Sequence, residues 1–97
     1  MNIKILKLVT GEDVVANIEV LESENKVVMK QPQRFIMTQE GIGSIPLVPF
    51  SSDEKFTVSM DHIVLIAEPD AEVKNGYNSQ HGSGIVVASG NQKILRT

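Results

Sequence analysis

Lys26, Lys30 and Arg34 recur at every fourth position, and of all the side chains in this sequence their type and spacing most suggest chemistry. On a continuous strand residues of one parity project from one face, so the three would form a basic row able to reach phosphates, and adjacent copies of the chain would extend it into a track. Pro32 stands between Lys30 and Arg34, where strand parity can break, and a solvated strand face carries such residues without any ligand. His62 and His81 are the only histidines. No His-x-x-x-His spacing or carboxylate cluster accompanies them, and Asp61 would point away from His62 in an extended strand. Ser79-Gln80-His81 lacks the positioned carboxylate and oxyanion donors of nucleophilic catalysis. The pairs Gly41-Ile42-Gly43 and Gly82-Ser83-Gly84 do not make phosphate loops: such a loop opens a helix, whereas Gly82 suits the end of one. The inventory predicts a protein with no enzymatic activity, cofactor or metal.

Nucleic-acid binding by stacking has thin support, since Phe35, Phe50, Phe56 and Tyr77 are the only aromatic residues and Phe56 alternates inward. Nine Lys and Arg against twelve Asp and Glu leave a net charge of −3, so the chain's long-range field does not collect nucleic acid and any such role needs a local basic patch. With no cysteine, disulfides and thiolate metal sites are excluded and a reducing compartment fits. The longest apolar run, Ile63 to Ala67, is far short of the roughly 18 residues that span a bilayer, and Met1 to Lys4 begins no secretory pattern. An intracellular, cytoplasmic protein without membrane contact is the expectation.

The elements that must position these residues are strands. Over 97 residues, with 41% of them apolar, the chain reads as a single domain, residues 1–97. Ile3 to Val9 is rich in Ile, Leu and Val, and Thr10 to Asp13 supplies turn chemistry. Val14, Ala16, Ile18 and Val20 then alternate with Val15, Asn17 and Glu19 as in a half-buried strand. After the polar turn Glu22 to Asn25, a third strand runs from Lys26 past Pro32 to Met37. From Glu40 to Glu54 the periodicity is lost, and Ile45, Leu47, Val48 and Phe50 suggest an apolar loop that packs or makes contacts. Phe56, Val58 and Met60 alternate in a fourth strand, and Ile63 to Ala67, apolar at every position, forms a fifth. A strand greasy on both faces must be covered, either by the chain's own tail or by a neighbouring subunit. Pro69 and Asp70 open a helix whose face carries Val73, Gly76, Tyr77 and Gln80. Ile85 to Ala88 suits a last short strand, and Gly90 to Thr97 a frayed tail.

Five short strands in this order, with a loop before the fourth and almost no break between the fourth and fifth, resemble the Sm-like small β-barrel family. Gly11, Val14, Ala16 and Ile18 match the spacing of its first motif, and Asp61-His62 followed by Ile63 to Ile66 resembles its second. The chain, including Lys74 to Val86, also looks similar to the Sm-like proteins of tailed phages of cyanobacteria. The sequence departs from the Sm-like pattern in having no helix before the first strand, in the displaced grouping Glu22, Asn25 and Lys26, and in Ser59-Met60-Asp61-His62 at the second turn. The resemblance implies a mainly β fold, a strongly bent five-stranded antiparallel sheet forming a small open barrel over residues 3–67, with a C-terminal helix and tail over residues 68–97. It further implies a homo-oligomeric ring of about five to seven subunits, closed between the fourth strand of one copy and the fifth of the next through Met60, Ile63, Val64, Leu65 and Ile66.

On that resemblance the turns holding Asn25 and His62 face the pore, where an amide and an imidazole, with Lys26 and Lys30 nearby, could bind single-stranded RNA. Asp61 would repel phosphate there, and a turn Asn and a partly buried His are equally ordinary structural residues. The expectation is a ring-forming RNA-binding or RNA-chaperone module from a phage-infected cell. The alternative is a phage structural component that binds a protein partner through Ile45 to Phe50 and the C-terminal segment.

Overall fold

The computed structural model describes residues 2–81. Six strands and one helix follow in order: β1 (Ile3–Leu8), β2 (Asp13–Leu21), β3 (Lys26–Thr38), β4 (Gly41–Pro46), β5 (Lys55–Ser59), β6 (Ile63–Ala67) and α1 (Ala71–His81). All pairings are antiparallel, in the order β4-β3-β2-β1-β6, with β5 also on β3. The fold is therefore mainly β with one helix after the sheet, as the sequence predicts. The sheet has six strands rather than five, and it does not close.

The added strand is β4, in the segment expected to be a loop. Gly41–Pro46 pairs residue for residue with Gln33–Thr38. Two glycines and a proline give it weak strand propensity of its own, so the pairing partner rather than local composition makes it a strand. Gly41, at φ 128°, takes the tight turn into it.

β3, 13 residues long, carries a bulge where it pairs with β2. Asn17 pairs with Lys30 but Val15 pairs with Gln33, so Ala16 alone faces both Gln31 and Pro32. Gln31 sits at φ 47°, and the proline, which has no N–H to donate, occupies the irregular position. Before the bulge β5 runs along β3; after it β4 does. The extra residue also exchanges faces along β3, and this decides where its basic side chains point.

Two apolar layers result. On one face of the sheet Leu6, Val14, Ala16, Ile18, Val27 and Met29 form the larger core cluster, flanked by Leu8, Leu47, Phe56, Val58, Met60 and Ile63. On the opposite face Ile3 and Val15 pack against Tyr77, with Phe35 and Val73 at the margin. Val14, Ala16 and Ile18 point inward as their alternation predicts, while Val15 is buried as well because α1 covers it. Val20, expected inward, is exposed. Asp70 caps the helix: its carboxylate accepts from the Val73 N–H at 2.9 Å and its carbonyl from the Lys74 N–H at 3.0 Å. The helix end expected at Gly82, the strand expected at Ile85 to Ala88 and the tail from Gly90 lie outside the described residues. Among the described residues no helix is long and apolar enough to cross a membrane.

Candidate nucleic-acid interface and free sheet edges

The two turns singled out from sequence come together. The first is a 3-10 turn, Glu22–Glu24, that ends on Asn25 in the left-handed region at φ 56°, a conformation asparagine tolerates better than most residues. The second is the 3-10 turn Met60–His62 that joins β5 to β6. The Met60 N–H donates to the Asn25 carbonyl at 2.9 Å, and the Asn25 Nδ2 donates to the Asp61 Oδ1 at 3.1 Å. Ser59 Oγ accepts from the Asp61 N–H at 3.1 Å, and the His62 carbonyl accepts from the Val9 N–H at 2.9 Å. Asn25 and His62 are thus brought close together, and both are exposed. The same contacts commit the Asn25 amide to Asp61 and place Glu22 and Glu24 beside it, a local charge unfavourable to phosphate.

Lys26 and Lys30 are exposed on the outer face of β3, opposite Leu21 and Asn17 of β2. Arg34 is not with them. It stands opposite Val14, on the inner face, because the bulge at Gln31 and Pro32 reverses the parity. In its place the structure brings Lys55, which sequence analysis passed over, directly opposite Lys30 on β5. The alternation of Lys55 with Phe56 already puts it on the wet face, but only the register shows what it faces.

The interface residues divide. Met60 and Ile63 pack against the chain's own core, whereas Val64, Leu65 and Ile66 are exposed, Val64 by 60%. Among the described residues β6 pairs only with β1 and β5 only with β3. The two strands on either side of the open seam, joined by a single 3-10 turn, therefore each keep an unpaired edge.

Four residues move out of the roles considered from sequence. Gly41 and Gly43 lie in β4, not in a loop that opens a helix. Ser79 Oγ donates to the Gly76 carbonyl at 2.9 Å, a bond within α1. Leu47 turns into the core while Val48 and Phe50, the latter wholly exposed, stay outside. No three His, Asp or Glu side chains converge as metal ligands among the described residues.

Fold and site together define a small mainly β protein: one six-stranded antiparallel sheet that does not close, with edges unpaired among the described residues and a helix after the sheet packed on its outer face. Residues 1–82 match the model of a family of unknown function, DUF6561, and the chain belongs to that family. No curated protein matches it.

Proposed function

We propose that this protein is a non-enzymatic Sm-like module that assembles with copies of itself into a closed ring and binds single-stranded RNA. The observation that carries the reading is the pair of edges beside the seam that no other described residue pairs with. β6 presents Val64, Leu65 and Ile66 together with an unused row of backbone donors and acceptors, and β5 presents a second such row. An exposed apolar edge strand is an aggregation hazard unless something pairs with it. Antiparallel pairing of β5 in one copy with β6 in the next satisfies both of these edges, and ring closure repeats that pairing at every subunit boundary. The Asn25 and His62 turns, with Lys26 and Lys30 behind them, then repeat around the ring as the RNA-facing groups.

Light scattering on the full chain across a dilution series tests the assembly. The expected result is a discrete mass of several chains that Val64→Asp together with Leu65→Asp reduces to one. A wild-type mass of a single chain at micromolar concentration rejects it. A second reading, an assembly component that captures a protein partner, is favoured by the exposure of Phe50 and Val48 on the loop between β4 and β5. On that reading Phe50→Ala leaves the mass unchanged and RNA is not bound.

A further inference from the structure

We propose that Lys30 and Lys55 together form a phosphate-contact site for the backbone of single-stranded RNA on the outer face of β3 and β5. The inference rests on the RNA-binding reading and says where on the subunit the strand runs. Cross-strand partners in an antiparallel ladder share a face, and Lys30 and Lys55 are such partners. Both are exposed, and neither makes an ion pair among the described residues, where the recorded pairs are Lys4 with Glu68 and Lys7 with Asp13.

Like charges directly opposite one another disfavour a sheet. A lone lysine on an edge strand is a common guard against unwanted pairing, which would account for Lys55 on β5. It does not account for Lys30, because β3 is interior to the sheet, with β2 on its other side. The opposed pair is explained by an anion that both ammonium groups share.

The surroundings favour a nucleic-acid backbone as that anion. Lys26 lies on the same face about 13 Å further along β3, four residues at roughly 3.3 Å each. Between the ends of this row stands Thr57, exposed on β5 opposite Val28 and able to donate a hydroxyl. Lysines and a hydroxyl in line, with no aromatic residue among them, can follow phosphates without reading bases. Arg34, carried to the inner face by the bulge, takes no part.

The test is fluorescence anisotropy of a labelled single-stranded RNA of about 16 nucleotides, titrated with the full chain over a range of salt concentrations. Wild type is compared with Lys30→Gln, Lys55→Gln and Arg34→Gln, all three of which remove one positive charge. Removing either lysine should weaken binding several-fold at low salt and lower the slope of log affinity against log salt by about 0.7, while Arg34→Gln follows wild type. Circular dichroism melting of each variant verifies that the fold is retained. If wild type binds and the lysine variants bind equally well, or if Arg34→Gln loses as much, this site is wrong and RNA binding stands elsewhere. If wild type does not bind at low salt, the RNA-binding reading fails and this site with it.

Discussion

The Tyr77 hydroxyl donates a 2.8 Å hydrogen bond to the carbonyl of Lys30, where β3 enters its bulge. The Gln31 carbonyl lies 3.2 Å from the same oxygen, which in turn accepts from the Asn17 N–H at 3.3 Å. The bulge frees peptide groups from the β2–β3 ladder, and one side chain on α1 answers them. Buried backbone groups need such partners, so the helix and the bulge in β3 stabilise one another.

Tyr77→Phe keeps the packing on Ile3 and Val15 but removes the hydroxyl. The expected loss is about 1–2 kcal/mol, larger than for an exposed hydrogen bond because the freed groups are shielded from water. Urea unfolding measures it, and hydrogen exchange should show the gain in opening at the Asn17 amide first. An unchanged midpoint would mean that water replaces the hydroxyl without cost.

Burial raises the pKa of the Tyr77 hydroxyl above the ordinary tyrosine value, with the hydrogen bond from the Asn17 N–H acting in the other direction. The unfolded chain then loses this proton at a lower pH than the folded one. Its contribution to stability is complete below about pH 10, the ordinary tyrosine value, and declines as pH rises from there through the folded value. Melting temperature should accordingly fall in that alkaline window in wild type. Tyr77→Phe should show a shallower fall, and absorbance at the tyrosinate band should rise with unfolding rather than before it.

Leu47 and Phe50 lie three residues apart in the segment expected from sequence to be one contact surface, and they have opposite fates. Leu47→Ala should destabilise the chain by about 2 kcal/mol through lost core packing. Phe50→Ala should stay within about 0.5 kcal/mol of wild type. Parallel denaturant curves distinguish them, and equal effects would contradict the placement of the loop.

Asn25 combines a left-handed backbone with a side chain bonded to Asp61. Asn25→Gly relieves the backbone cost and loses only an exposed bond, so stability should be nearly preserved. Asn25→Ala should cost about 1 kcal/mol more, the penalty of a Cβ in that region. Thermal melts give the difference. RNA titration of the glycine variant separates a turn residue from an RNA contact, since only in the second case does binding fall while the fold is kept.

Much of the fold is legible in the chain. Period-two alternation marks Val14, Ala16 and Ile18 as core, and Pro69, Asp70, Val73 and Tyr77 mark the helix and the face it buries, because these patterns are local and each residue's neighbours suffice to read them. β4 is not legible, since Gly41, Gly43 and Pro46 become a strand only by lying against Gln33–Thr38.

The candidate site divides along the same line. Strand parity singled out Lys26 and Lys30, and the Sm-like resemblance singled out Asn25 and His62; composition marked β6 as apolar on both faces and in need of cover, whereas the structure leaves Val64, Leu65 and Ile66 exposed. Tertiary structure alone decided that Asn25 bonds Asp61, that Lys30 faces Lys55, and that Arg34 leaves the basic row. A strand's parity predicts faces only while its register is unbroken; one extra residue opposite Ala16 reverses every side chain beyond it. Register is set by the partner strand, which lies far along the chain and is silent in local sequence.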